Sequence, residues 1–382
     1  MPLVSSRLAR HAASLTLCFA ALSLHAQTPE SLAFQHAQHL QRGINTALWF
    51  AQMSGHYTVD RLRTYTTPDD LRLIRQLGLD HIRLSIDADP LTDWLHGYHD
   101  GVAFMGELDR VVKEANSDGL AVIIDIHPEE HYKQTLLQGD RGVYDFVRLW
   151  QALATHFKDT DPNLVFFEIM NEPEQPDTYR WQGIESTVAQ AIRQITPQHT
   201  IIAAGAHWSG LDDLLQLQPL ADPNVIYTFH DYEPFTFTHQ GATWTDPREI
   251  PLRNVPYPST PDNVIPNEAQ EPTLVGQLYV EDYGLDRWDL ERVDRTIAFA
   301  AKWGEVHHVP VYCGEFGVHK PYAPPADRAR WIHDMRVTLE KYHIGWNMWD
   351  YQANFGLVDK TNGGPAVPDP AIVEALGLKQ VK

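Results

Sequence analysis

The chain has 382 residues, 43% of them apolar, which is enough to bury a large core and too ordinary for a disordered or fibrous protein. Its formal net charge of −20 disfavours nucleic acid and anionic membrane as partners, since both would repel it, and suits a neutral polymer. The length fits either two or three ordinary domains or one α/β barrel.

At the N-terminus, Arg7, Arg10 and His11 precede an apolar run over 12–24 that is too short to span a bilayer. This pattern predicts a secretory signal peptide over 1–26, cleaved near Ala26, although Leu24 is bulky for the position it would hold before the cut. The residues before Cys18 lack the small side chains of a lipidation site, so no lipid anchor is expected. Cys313 then stands as the single cysteine, which excludes an intramolecular disulfide and a cysteine-type zinc site.

Eight short apolar runs follow, over 44–49, 81–86, 121–126, 165–169, 201–205, 225–229, 309–313 and 345–349. Several are continuous β-branched stretches, as expected for parallel strands buried on both faces. Helical patterns separate them. The clearest places Phe146, Val147, Leu149, Trp150, Leu153, Ala154 and Phe157 on one face; others use Ile184, Val188, Ile192 and Ile195, and Trp331, Ile332, Met335, Leu339 and Tyr342. Eight strand–helix repeats predict an α/β fold, a (β/α)8 TIM barrel, as a single domain over 27–382. One insertion, over 233–288, is rich in Pro, Asn, Thr and aromatics and is expected to wall a cleft at the end of the barrel where the strands finish.

Retaining hydrolysis of a glycosidic bond needs two carboxyl groups roughly 5 Å apart, one protonated and one ionised. In a barrel these belong at the C-terminal ends of strands. Glu172 follows the run Val165-Phe166-Phe167-Glu168-Ile169-Met170-Asn171, and Glu315 follows Val309-Pro310-Val311-Tyr312-Cys313-Gly314.

With Asn171-Glu172-Pro173 after the fourth strand and Glu315-Phe316-Gly317 after the seventh, the chain resembles glycoside hydrolase family 5. Further positions match in order: Arg83 in Ile82-Arg83-Leu84-Ser85, His127 after Asp125-Ile126, His230 and Tyr232 as His-x-Tyr, and Trp349 in Trp346-Asn347-Met348-Trp349. The resemblance covers almost the whole mature chain. It implies catalysis by Glu172 as acid/base and Glu315 as nucleophile, with Glu172 raised in pKa in part by the nearby charge of Glu315. Arg83 and Tyr232 are then the partners of the Glu315 carboxylate, and Asn171 holds a sugar 2-hydroxyl. His127 and His230 line the cleft, and Trp349 offers a flat face to a pyranose ring. No cofactor or metal is implied.

Taken singly these residues have plainer readings: a strand-end glutamate is usually salt-bridged, and Arg83 by itself could neutralise Asp125. The eight together carry the inference. A competing motif, His127-Pro128-Glu129-Glu130-His131, fits the H-x-x-E-H pattern of zinc metallopeptidases, which requires both histidines on one helix face. The preceding strand-like run and Pro128 oppose that. A non-catalytic carbohydrate-binding protein would be expected to lack at least one of the eight.

The resemblance implies a β-linked polysaccharide or oligosaccharide substrate, endo-β-1,4-glucanase activity first, and β-mannanase or exo-acting β-glucosidase activity as alternatives. Candidate sugar platforms are Trp49, Phe50, Trp94, Trp208, Phe235, Phe237 and Trp244. No appended binding module is visible, which points to soluble or amorphous polymer. A secreted or periplasmic monomer is expected.

Overall fold

The computed structural model describes residues 31–361 and 364–381; the predicted signal peptide lies outside the described residues. Eight strands, β1 (Arg42–Asn45), β2 (His81–Ile86), β3 (Ala121–Ile126), β4 (Val165–Glu168), β5 (Ile201–Ala204), β6 (Val225–His230), β7 (Val311–Phe316) and β8 (Gly345–Met348), form a closed barrel in chain order. All neighbours pair in parallel, and β8 returns to β1. The helices that return the chain are α1 (Pro68–Leu77), α2 (His99–Ser117), α3 (Asp140–Phe157), α4 (Thr178–Ile195), α5 (Leu211–Gln216), α6 (Leu290–His307), α7 (Pro325–Lys341) and α8 (Pro370–Ala375). The result is the expected (β/α)8 TIM barrel.

Two-residue alternation sorts each strand between two environments. Ile82, Leu84, Ile86, Val122, Ile124, Val165 and Phe167 join the large cluster beneath the helices. Residues of the other parity, Ala121, Ile123, Phe166, Ile202, Ile226 and Tyr312, form a second cluster inside the barrel. Two residues further along the same strands the interior turns polar, with Asp125, Glu168 and Thr228 fully or almost fully buried. The C-terminal end of the barrel is therefore built on an apolar plug.

The helices follow the amphipathic patterns. In α3 the predicted stripe is buried, Val147 packing at its margin, and the Trp150 indole donates to the Ile169 carbonyl at 2.9 Å. Burying each large side chain of such a stripe contributes about 1.5–3 kcal/mol. Helix α1 begins with a reciprocal capping box between Thr67 and Asp70.

Several boundaries differ from expectation. Strand β1 stops at Asn45 because the chain turns at Leu48, whose φ is 56°, so Trp49 and Phe50 are core residues rather than strand residues or sugar platforms. Trp49 donates its indole N–H to the Leu62 carbonyl at 2.7 Å. Strand β4 ends at Glu168, leaving Glu172 on the loop beyond it, and β6 extends through His230.

The largest difference is β7, which runs through Glu315 instead of ending before it. Pairing with β6 passes from Phe229↔Cys313 to His230↔Glu315, so Gly314 is an extra residue, a β-bulge. Tyr312 belongs to the inner cluster and Cys313 to the outer one. Unbroken alternation would turn Gly314 inward and Glu315 outward; the bulge turns Glu315 inward.

The insertion is a folded unit containing short helices Phe235–Thr238 and Ile265–Glu268 and a longer one, Leu274–Asp286. Phe237, Leu252, Val255, Tyr257, Val264, Val280 and Tyr283 are buried in the main cluster, which also removes Phe237 from the candidate platforms. Tyr257 donates to Asp334 Oδ2 at 2.8 Å and ties the insertion to α7. Among the described residues no helix is long and apolar enough to cross a membrane.

Candidate active site

All eight residues singled out in the sequence converge at the C-terminal end of the barrel. Arg83, fully buried on β2, is the centre of the cluster. Its Nε and Nη2 donate to the two oxygens of Glu168 at 2.8 and 2.7 Å, a fork-to-fork pair. Its Nη1 donates to Glu315 Oε1 at 2.6 Å and to Asn45 Oδ1 at 3.0 Å, and Nη2 also reaches Asn171 Oδ1 at 2.9 Å and Asp125 Oδ2 at 3.1 Å. Burial works against this guanidinium, but Asp125, Glu168 and Glu315 outweigh it and hold the proton affinity well above the arginine norm. Arg83 thus does both things its sequence position allowed: it neutralises buried acids and it holds Glu315.

The second oxygen of Glu315, Oε2, accepts a hydrogen bond from the Tyr232 hydroxyl at 2.7 Å. Burial first, then the adjacent Glu315 and Glu172, push the Tyr232 phenol well above its ordinary range, so it stays a donor.

Glu172 lies four residues past β4, held by the neighbouring Asn171 N–H, which donates to the Ile126 carbonyl at 2.8 Å. Its φ of 44° is unusual for a residue with a side chain, and such positions concentrate at functional sites. Its carboxyl is about a quarter exposed, at 26%, and Oε1 lies 2.9 Å from His230 Nδ1. Burial raises the Glu172 pKa, against the opposing pull of Lys133, His127 and Arg83, while Glu174 adds to the rise. Burial is therefore the leading cause. Oxygens of Glu172 and Glu315 and a ring nitrogen of His230 all lie within 4.8 Å of one another.

His127 follows β3 and forms a relay of fixed polarity. One ring nitrogen, Nδ1, is 3.0 Å from Asp125 Oδ2, and the other, Nε2, accepts from Asn171 Nδ2 at 3.2 Å. Burial lowers its pKa to about 3, so the ring is neutral and can serve as that acceptor. The same cause lowers His230 to about 4. Burial also raises Asp125 to about 6, partly offset by Arg83. The ring of Trp349 stacks on that of His127 with centroids 5.7 Å apart, and it packs with Ala47, Tyr232 and Phe355.

Sequence reasoning missed Glu168, Asn45, Lys133 and Glu174. Glu168 left a trace: it is an acid at an inward position of an otherwise apolar run. Lys133 Nζ lies 3.1 Å from Glu174 Oε1, and both act on Glu172. Among the aromatics, Trp208 and Trp244 are exposed at 59% and 57%, while Trp94 and Phe235 are partly buried.

The zinc-peptidase pattern does not assemble. His127 lies outside the helix Glu130–Gln138, with both nitrogens engaged, and His131 pairs with Asp89 at 2.9 Å. Among the described residues, the group that could present three metal-binding atoms together is Glu172, His230 and Glu315, the same cluster that faces the cleft.

The chain is 28% identical over 319 residues to Endoglucanase C of Acetivibrio thermocellus, covering 81% of this chain and 90% of that protein. It is 26% identical over 353 residues to Endoglucanase 3 of Fibrobacter succinogenes, spanning 84% of this chain but only about half, 51%, of the longer relative. Thermotoga maritima Cel5A superimposes with a TM-score of 0.73 at 26% identity, covering 90% of this chain and 99% of that one. The description Cellulase (glycosyl hydrolase family 5) matches residues 41–355, most of the chain, which therefore belongs to glycosyl hydrolase family 5.

Proposed function

We propose that the chain is a secreted, retaining endo-β-1,4-glucanase working by double displacement. The observation that carries this reading is the carboxyl pair: Glu172 and Glu315 present oxygens within 4.8 Å of each other, close to the roughly 5 Å separation of retaining enzymes and shorter than that of inverting ones. Endoglucanases are the similar proteins named above, and a Ruminococcus flavefaciens relative, 28% identical over 316 residues, is a Cellodextrinase A.

The two carboxyls differ in surroundings as the roles require. Glu315, gripped by Arg83 and Tyr232, presents an oriented carboxylate that attacks the anomeric carbon as the glycosidic bond breaks. Glu172, with its raised pKa, gives its proton to the leaving oxygen. In the second half Glu172 takes a proton from water, the water oxygen attacks the anomeric carbon, and the bond to Glu315 breaks. Each carboxyl returns to its starting form. Asn171 has an Nδ2 hydrogen left after its bond to His127, available to the 2-hydroxyl.

Two inversions leave the configuration unchanged, so proton NMR of the first product is expected to show the β-anomer, with the α-anomer growing in only by mutarotation. An α-anomer at the start would sink the nucleophile assignment. A product profile on carboxymethylcellulose, mixed-linkage glucan, mannan and cello-oligosaccharides tests the substrate and the endo mode. Mannan is the second reading, since Thermotoga maritima Cel5A, 25% identical in that structure, is described in complex with mannotriose. Secretion rests on the N-terminal pattern over 1–26, and N-terminal sequencing of exported protein tests it.

A further inference from the structure

Two buried polar atoms beside the carboxyl pair have no hydrogen-bond partner among the described residues: His230 Nε2 and Thr228 Oγ1. The residues stand two apart on β6 and so share the inward face. Thr228 is fully buried and His230 is 5% exposed. Both atoms face the spot where Gly314 has no side chain. A Cβ there would lie 2.6 Å from Thr228 Oγ1 and 3.1 Å from His230 Nε2. The first distance is too short for a real contact. The bulge residue therefore excludes a side chain for want of space, and the hydroxyl and the ring nitrogen both approach it.

A neutral imidazole donates from one nitrogen and accepts at the other, so whatever holds one nitrogen decides what the other does. His230 is neutral at working pH because burial lowers its pKa to about 4. Its Nδ1 is 2.9 Å from Glu172 Oε1 and 3.7 Å from Glu315 Oε2. Arg83 on β2, Glu168 on β4 and His127 past β3 also act on the ring. None of these groups is hydrogen-bonded to Nε2, and Thr228 Oγ1 is the other unpartnered polar atom that faces Gly314.

We propose that Thr228 is a positioning residue whose hydroxyl, through one bridging water, donates to His230 Nε2 and fixes the Nδ1–H tautomer, making His230 a hydrogen-bond donor to Glu172 Oε1. The proton of Glu172 is then confined to Oε2 and free for the leaving oxygen. In the opposite tautomer Nδ1 would accept that proton and hold it away from the substrate. This inference rests on the reading of Glu172 as acid/base.

Thr228→Val keeps the shape of the side chain and removes the hydroxyl, releasing the ring to the other tautomer. On substrates with poor leaving groups kcat/KM is expected to fall about tenfold, the worth of roughly one neutral hydrogen bond. On 2,4-dinitrophenyl cellobioside, which needs little protonation, it should barely change. The basic limb of the kcat/KM profile should move to higher pH, because a Glu172 proton bonded to Nδ1 is harder to remove. Thr228→Ser, which keeps the hydroxyl, should restore both. An equal loss on both substrates, or an unmoved basic limb, overturns the proposal. Independently of kinetics and of the role of Glu172, long-range 15N–1H correlation of the 15N-histidine-labelled wild-type protein, with His230 assigned by its absence in His230→Gln, should show the proton on Nδ1. A proton on Nε2 overturns the proposal even where the Thr228 variants fail to fold.

Discussion

Glu315→Ala is expected to lose activity on every substrate by on the order of 10⁴- to 10⁶-fold, as when the nucleophile of a covalent mechanism is removed. Glu172→Ala should lose about 10²- to 10⁴-fold on poor leaving groups, the usual range for a general acid, and much less at the glycosylation step when the leaving group is dinitrophenolate. Azide separates the two. In Glu172→Ala the intermediate still forms on Glu315, and azide attacks it from the face that water would use, giving a β-glycosyl azide and faster turnover. In Glu315→Ala azide can act only from the vacated side, giving an α-glycosyl azide. The check is the anomeric configuration of the azide product by NMR; the same anomer from both variants would reverse or void the assignments.

Arg83→Met is expected to damage both folding and catalysis, because one cation serves Glu168, Glu315 and Asp125 at 2.7, 2.6 and 3.1 Å. Removing one member of a buried ionic cluster typically costs about 3–5 kcal/mol, since the partners remain buried and uncompensated. The sign with pH follows from linkage. Burial, offset by Arg83, sets Asp125 at about 6, and raises Glu168. A carboxyl that binds its proton more tightly folded than unfolded contributes stability at low pH and loses it as pH rises from the unfolded value through the folded one. Without Arg83 those folded values rise further. The loss in unfolding free energy should therefore be largest near pH 8 and shrink towards pH 4, as read by urea melts at both ends. In catalysis, the acidic limb of kcat/KM should move to higher pH, because that limb reports an essential base in the free enzyme. Tyr232→Phe should move it in the same direction by less, since it removes one neutral donor. A uniform stability loss at all pH values, with the acidic limb unmoved, would make Arg83 a packing residue only.

Much of this was legible in the chain itself. The runs 81–86 and 121–126 match β2 and β3 residue for residue: Val122, Ile123 and Ile124 are apolar in unbroken sequence, as suits a strand buried on both faces, and Ile82, Leu84 and Ile86 alternate with His81, Arg83 and Ser85, which face the barrel interior. The α3 stripe was equally plain, since helical period and burial coincide. Asn171-Glu172-Pro173 and Glu315-Phe316-Gly317 marked the two carboxyls through the resemblance to glycoside hydrolase family 5 and the six further positions that match in order, since a strand-end glutamate taken singly is more often salt-bridged.

Only the tertiary structure decided which atoms meet. Arg83 and Glu168 are 85 residues apart, and Arg83 and Glu315 are 232 apart, so their pairing exists only once the barrel closes. Trp49 and Phe50 read as platforms because they are aromatic near a strand end, yet the turn at Leu48 sends both into the core. Most of all, the direction of Glu315 depends on the bulge at Gly314. Alternation along β7 taken alone turns that carboxylate outward, and the extra residue shows itself only in the pairing of β7 with β6. A strand's own side chains state its period; where that period breaks is set by the neighbour that it pairs with.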